Sequence, residues 1–287
     1  MKIRLCTHFD WSFAPLGFAM IESVRKHMPG VDVKPLAMDQ RTFQTIYGNI
    51  RGIETCKYRP TDSPQMLDAQ ARMTHKEFCW LMEVELCRQM LQMPADWLVY
   101  VDADQWFTGD LRPILEAIPD DKLIALSPHY FPPTQEHREK HVGRYNFGIG
   151  AFRPCDSTRS IVERWFTKAL DDCGEKTAGH QRHLDTWPRD IIHELPPTVN
   201  CGPWSLPMIL GDPPKHGGTG CNLVSYHFHE FRPSKANIAL GRNPFKLGDR
   251  WWNATNYDIA KSTLESVYLP YREAVEKQVR RLNWSTE

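Results

Sequence analysis

Apolar and polar positions change period in blocks along the first hundred residues. Lys2 to Cys6 is a short β-type run. Pro15 opens a stretch to Met28 with Leu16, Ala19, Met20, Ser23, Val24 and His27 on one face, so the pattern predicts a helix closed by Pro29-Gly30. Val31 to Met38 predicts a second strand, ending at Asp39. After a link punctuated by Pro and Gly, Ala69 to Met93 predicts one long helix. Its Cys79, Met82, Leu86, Met90 and Met93 recur at spacings of three and four, the mark of a stripe packed against a core. Trp97 to Val101 is a continuous apolar run, expected of a strand covered on both faces.

Alternating strands and helices predict an α/β fold with a mainly parallel central sheet flanked by helices. Ligands of such sheets bind beyond the carboxyl ends of the strands. The positions of interest are therefore Thr7 to Trp11, Asp39-Gln40, and Asp102 to Gln105. The second half is more irregular. Lys122 to Ser127 and Tyr145 to Arg153 read as strands, Ser157 to Cys173 as a helix, and Pro196 to Gly220 as loop. Leu223 to His229 reads as a last strand and Tyr257 to Asn283 as a C-terminal helix. With no internal repeat and no linker, a single domain over 1–287 is expected.

Composition narrows the function. The 287 residues carry 35 Lys+Arg against 35 Asp+Glu, a balance that argues against general nucleic-acid binding. A hydrophobic share of 41% at zero net charge excludes a disordered chain. The eight cysteines are scattered, without a Cys-x-x-Cys pair, so reduced, mostly buried thiols are expected rather than a zinc or disulfide framework. No apolar run approaches the roughly 18 residues of a spanning helix. Met1 to Asp10 meets a polar Thr-His pair early and has no leader core, which points to a cytoplasmic protein with at most peripheral membrane contact. The 10 Trp and 12 His suggest aromatic faces for a ligand; Trp106, Trp187, Trp204, Trp251 and Trp252 are candidates for stacking or for packing.

Four clusters carry candidate chemistry. Asp102-Ala103-Asp104 follows the buried strand and is backed by Trp106-Phe107. Two carboxylates against an apolar wall are costly without a cation, and hard oxygen ligands suit Mg²⁺ or Mn²⁺ beside substrate phosphates. Solvated strand-end acids are the alternative. In Tyr226-His227-Phe228-His229 the two histidines share one strand face; they are either structural imidazoles or the completion of a metal shell that then favours Mn²⁺. Gly143 to Gly150 is Gly-rich without matching a phosphate loop or dinucleotide fingerprint, and suits close approach of backbone to a ligand. His180 to Pro188 reads as a short polar helix or turn at the surface.

In this order the clusters resemble the GT-A fold glycosyltransferases, most closely the family eight-like, nucleotide-diphospho-sugar transferase group, over roughly residues 1–235. Cys6 to Trp11 resembles the first strand and nucleotide loop, and Leu98 to Asp104 the metal-binding Asp-x-Asp strand. Tyr145 to Gly148 is similar to the Asn-x-Gly segment beside the donor sugar. Gln181 with Leu184-Asp185 is similar to the Asp-Gln-x-x-Leu-Asn stretch, and His227 to His229 to the C-terminal metal-binding His-Phe motif.

The resemblance implies a metal-dependent, hexosyltransferase-like enzyme of the EC 2.4 class that takes a sugar from a nucleotide-diphosphate sugar, a UDP-sugar by analogy. Transfer would proceed with retention to a glycan, lipid-linked or protein acceptor. It implies Asp102, Asp104 and His227, with His229 as substitute, around Mn²⁺ or Mg²⁺. It also implies Thr7, His8, Asp10 and Asp39 at the nucleotide and Lys76, Asp102, Arg232 and Lys235 at the diphosphate. Asn146, Gln181 and Asp185 would stand near the sugar as the catalytic residues. Residues 1–110 would then be a nucleotide-binding half, 111–235 a donor-sugar and acceptor half, and 236–287 an extension. Three departures stand out: His180 where Asp is usual, Glu230 where Gly is usual, and Arg232-Pro233 as an echo of a Lys-Pro-Trp ending. A phosphohydrolase using Asp102-x-Asp104, or a non-catalytic nucleotide-sugar or glycan-binding module, are the competing functions.

Overall fold

The computed structural model describes residues 1–49, 56–57, 63–174, 179–206, 209, 223–233, 252, 257 and 259–284. The first apolar run forms β1 (Ile3–Phe9), buried at every position. β1 pairs in parallel with β2 (Asp32–Ala37) on one side and with β4 (Trp97–Val101) on the other. Coverage on both faces is why these strands read as continuous apolar runs rather than alternating ones. The chain passes from β1 through α1 (Ala14–His27) to β2. From there it runs through α2 (Gln40–Asn49), β3 (Cys56–Lys57), α3 (Pro64–Arg72) and α4 (His75–Met90) to β4.

The main sheet has the order β3-β2-β1-β4-β7-β6-β8, in which β6 is Ile124–Pro128, β7 Tyr145–Phe152 and β8 Ile192–Glu194. Only β7 runs against its neighbours, pairing antiparallel with β4 and β6. The fold is thus α/β with a mostly parallel central sheet flanked by helices. β5 (Gln105–Phe107) and β9 (Ser225–His227) make a small antiparallel sheet beside the end of β4. Between β5 and β9 lie α5 (Arg112–Glu116), α6 (Glu139–Val142) and α7 (Asp156–Asp171).

β4 splits the core by its period of two. Leu98 and Tyr100 join α4 and α7 residues such as Leu81, Met82 and Trp165 on one face. Trp97, Val99 and Val101 join Phe18, Ile21 and Val24 of α1 on the other. Each such fully buried side chain contributes about 1.5–3 kcal/mol relative to exposure. Leu16 and Ala19 of α1 belong to a third cluster, shared with Tyr226, Phe228 and the C-terminal helix. α1 is therefore buried on nearly every side, beyond the single stripe that its sequence predicts.

Several expected boundaries move. The long helix over Ala69 to Met93 is two helices. α3 begins at Pro64 under the cap of Ser63, and the chain breaks at Met73 so that Thr74 can cap α4 in a reciprocal box with Glu77. The stripe on α4 holds for Met82, Leu86 and Met90, while Cys79 is half-buried. The link after Asp39 contains α2, started by the Asp39 carboxylate, which accepts the Thr42 N–H at 2.7 Å. The C-terminal helix begins later than Tyr257, as α8 (Lys261–Thr263), and widens into a π turn at Leu264–Tyr268 before α9 (Leu269–Arg281). Pro270 stands next to that turn and has no N–H to give an α-helical partner. Of the loop expected over Pro196 to Gly220, residues 207–208 and 210–220 lie outside the described residues. Cys6, Cys79, Cys87, Cys155, Cys173 and Cys201 carry free thiols. Among the described residues no helix is long and apolar enough to cross a membrane.

Candidate functional site

Asp102 and Asp104 follow the last residue of β4 directly. The Asp102 N–H donates to the Gly148 carbonyl at 2.9 Å, and the Gln105 N–H turns back to the Asp102 carbonyl at 3.2 Å. The chain then enters β5, whose register against β9 sets Gln105 opposite His227. That pairing, with the Phe228 N–H donating to the Asp104 carbonyl at 3.0 Å, carries His227 back to the acids across more than a hundred residues. Its Nε2 lies 3.2 Å from Asp104 Oδ1 and 3.7 Å from Asp102 Oδ2. One ligand atom from each of the three residues falls within 4.8 Å of the others. His229 is not one of the three: it is exposed, its ring 6.0 Å from that of His227 and its Nε2 3.8 Å from Glu230 Oε1, though still near enough for its charge to act on Asp104.

The electrostatics are those of a crowded anionic pocket. Burial pushes the Asp102 carboxyl well above its ordinary range, and the buried Glu83 carboxyl adds to the push; His227 works against it. Burial acts on Asp104 in the same sense, but His227 outweighs it and holds that acid below its ordinary value. Burial would lower His227, yet Asp104 and then Asp102 raise it. Two oxygens and an imidazole nitrogen converging in this way fit a divalent cation such as Mn²⁺, whose charge would relieve the repulsion.

Supporting groups surround the three. Tyr100, two residues before Asp102 and so on the same side of the strand, donates its buried hydroxyl to Asp102 Oδ1 at 2.8 Å. His8 Nδ1 lies 3.2 Å from the same hydroxyl, and burial lowers His8 to about 4. Asn200 Oδ1 lies 3.1 Å from His227 Nδ1 and also accepts from Gln105 Nε2. Gly148 lets these groups close up. A Cβ there would come within 2.4 Å of His227 Nδ1, 2.5 Å of Asn200 Oδ1 and 2.7 Å of Gln105 Nε2.

The remaining expected residues are spread around this centre. Thr7 is fully buried at the end of β1, its hydroxyl without a hydrogen-bond partner among the described residues. Asp10 caps the turn after β1 and lies 2.7 Å from His75 Nε2. Asp39 accepts from the Trp11 N–H at 2.6 Å and so ties the β1 loop to the β2 loop. Lys76, exposed on α4, lies over the Trp80 ring at 4.8 Å, and Arg232 over Phe13 at 5.0 Å. Lys235 and Trp251 lie outside the described residues. Asn146 Oδ1 accepts the Gly148 N–H at 3.0 Å, and Gln181 bridges the Phe147 N–H and the Val142 carbonyl. Asp185 is exposed and accepts the Arg144 N–H at 3.0 Å. Trp187, Trp204 and Trp252 are buried, which makes them packing rather than open stacking faces.

His180 corrects the expectation of a surface turn. The 3₁₀ turn Gln181–Thr186 does follow it, but His180 itself is buried and hydrogen-bonded to Glu83 of α4. Glu83, Tyr100, Gln105 and Asn200 did not stand out in the sequence. Tyr100 could have been found from its two-residue spacing to Asp102. Glu83, Gln105 and Asn200 reach the site only through tertiary packing.

No protein-family model matches the chain, and no curated protein matches it either. Solved structures do. Galactosyltransferase LgtC bound to donor and acceptor sugar analogues superposes with a TM-score of 0.61 at 12% identity, covering 97% of this chain and 99% of that one. The glycosyltransferase GlyE of Streptococcus pneumoniae gives 0.57 at 14% identity, over 99% of this chain and 62% of GlyE. Mouse xyloside xylosyltransferase 1 gives 0.50 at 11% identity, over 80% of this chain and 98% of that one. At these identities the likeness is one of fold, and the fold is that of the GT-A glycosyltransferases.

Proposed function

We propose that this chain is a metal-dependent glycosyltransferase that takes a sugar from a nucleotide-diphosphate sugar, a UDP-sugar, and transfers it with retention to a glycan, lipid-linked or protein acceptor. The observation that carries the reading is the convergence of Asp102, Asp104 and His227 within 4.8 Å, at the carboxyl end of the central strand of a GT-A fold. Asp102 and Asp104 would hold Mn²⁺ or Mg²⁺ through carboxylate oxygens and His227 through Nε2. A bound divalent cation supplies Lewis-acid stabilisation of the charge that builds on a departing diphosphate.

The chain's own groups then have distinct tasks. Thr7 and His8 near the end of β1, with Asp10 and Asp39 in the turns that follow β1 and β2, would receive base and ribose. Lys76 and Arg232, with Lys235, would meet the diphosphate. Asn146 and Gln181 brace the backbone of the Asn-Phe-Gly segment and would orient the sugar, and Asp185 would hold the adjoining loop at Arg144. Tyr100 orients Asp102 by hydrogen bond, so the acid needs no reorganisation when a donor arrives.

The test is release of free nucleoside diphosphate from a panel of sugar donors, with Mn²⁺ and with chelator. Turnover of one donor that chelation abolishes, and that Asp104→Ala lowers by about a hundredfold or more, supports the reading. Full activity in Asp104→Ala, or hydrolysis of a phosphate ester with no donor bound, would overturn it.

A further inference from the structure

The tautomer of His227 can be read from a chain of hydrogen bonds anchored on the backbone. The Gly148 N–H can only donate, and at 3.0 Å from the Asn146 side chain it identifies the facing atom as Oδ1. Asn146 Oδ1 is then an acceptor for Asn200, whose near atom, at 2.9 Å, must be Nδ2. The same Nδ2 lies 3.1 Å from the Asn146 carbonyl oxygen, an independent acceptor that demands the same orientation. With Nδ2 so placed, Asn200 presents Oδ1 to His227 Nδ1 at 3.1 Å. An amide oxygen cannot donate, so Nδ1 carries a proton, and in the neutral imidazole it is Nε2 that is left with its lone pair toward Asp102 and Asp104.

We propose that Asn200 is a positioning residue which, by accepting from His227 Nδ1–H, locks the imidazole in the tautomer that presents Nε2 to the Asp102–Asp104 pair. The inference rests on the reading of those three residues as a metal centre. Asn200 is 3% exposed and makes a tight set of contacts. Its N–H donates to Ser225 Oγ at 2.8 Å, and its Oδ1 also accepts from Gln105 Nε2, the residue paired with His227 across β5 and β9. Its backbone is left-handed, with φ 55°, a conformation asparagine adopts more readily than most residues. A metal-bound histidine commonly donates its second ring N–H to an oxygen that fixes its orientation, and loss of such a partner weakens metal affinity by about 10–100-fold.

The test is nitrogen NMR of ring-labelled histidine in the metal-free protein at alkaline pH, where the imidazole is neutral, together with Mn²⁺ titration by calorimetry. Wild-type protein should show His227 as the single Nδ1–H tautomer. An Nε2–H tautomer overturns the inference, whether or not any variant folds. Asn200→Gly tolerates the left-handed backbone while deleting the acceptor; it should lose the single tautomer and bind Mn²⁺ about 10–100-fold more weakly. A variant that keeps both the tautomer and the wild-type affinity overturns the proposal. Wild-type protein with the Nδ1–H tautomer but no Mn²⁺ binding would sink the metal reading and leave the locking role of Asn200 supported.

Discussion

Glu83 of α4 and His180, 97 residues further on, are hydrogen-bonded to each other through Oε2 and Nε2 in the interior of the protein. Burial raises the Glu83 carboxyl well above its ordinary value, with Asp104 adding to the effect, and burial lowers His180 to about 3. Burial thus works against the charged form of both members. The chain carries an imidazole at position 180 and a buried carboxyl on α4 that lies close enough to Asp102 to raise it.

His180 Nδ1 already has no hydrogen-bond partner among the described residues. Glu83→Leu should thus cost about 1–3 kcal/mol, measured by urea unfolding, because it leaves a second buried imidazole nitrogen unsatisfied. Glu83→Leu combined with His180→Leu should be less destabilising than the sum of the singles by about 0.5–3 kcal/mol. Additive losses would show that the two side chains do not depend on each other.

Thr74 tests the local break that divides α3 from α4. Its side chain accepts the Glu77 N–H and Glu77 returns to the Thr74 N–H at 2.9 Å, so the box starts a new helix inside one continuous helical pattern. Thr74→Ala should lower stability by about 1 kcal/mol in thermal or urea unfolding, without affecting Mn²⁺ affinity. No loss of stability would mean that packing alone sets the start of α4.

The strands β1 and β4, the helix α1 and the Asp102-x-Asp104 pair were legible because apolar periodicity and strand-end position are local signals. The α3–α4 break was legible too, in Thr74 and Glu77, but the apolar stripe running through it hid the signal. What the sequence could not show was assembly at a distance. His227 meets Asp104 because β5 and β9 pair in one register, and Asn200 meets His227 because a left-handed residue turns into the space that Gly148 leaves bare. Nothing within ten residues of Asn200 or Glu83 announces either contact.

Three buried histidines give the fold an acid-sensitive flank. Burial lowers His8 and His129 to about 4 and His180 to about 3, against 6.5 for an ordinary histidine. The unfolded chain binds protons that these sites refuse, so their contribution is fully present above pH 6.5 and is lost as pH falls toward 4. Each neutral histidine should add about 1.4 kcal/mol per pH unit to the loss inside that window. His129, stacked on Phe131 and not itself one of the proposed ligands, is the convenient probe: His129→Phe should flatten the fall in urea-derived stability between pH 6.5 and 4. An unchanged slope would mean that His129 titrates normally.

Asp102 has the opposite sign. Its folded carboxyl holds a proton well above the ordinary 3.8, so the metal-free fold is favoured at low pH and loses that contribution as pH rises above 3.8. Asp102→Asn removes the penalty. It should melt higher than wild type in chelator at neutral pH and gain nothing from Mn²⁺, whereas wild type should be stabilised by Mn²⁺ through mass action. A variant that melts lower in chelator would show that Asp102 supports the metal-free fold.

Gly148 is where backbone, tautomer and metal geometry meet, and Gly148→Ala separates them from simple packing. The new methyl would lie within 2.7 Å of three polar atoms, on His227, Asn200 and Gln105, and each belongs to a buried side chain. Relief requires that His227 or Asn200 move, which breaks the Nδ1–Oδ1 hydrogen bond of 3.1 Å or shifts Nε2 from its place 3.2 Å from Asp104. Overpacking of this kind costs about 1–3 kcal/mol in stability. The affinity for Mn²⁺ should fall further than that of a control such as Gly48→Ala, where a Cβ meets nothing within 4 Å. Calorimetric titration of both variants checks this: equal Mn²⁺ affinity in the two would show that the close approach at Gly148 has no part in setting the position of His227.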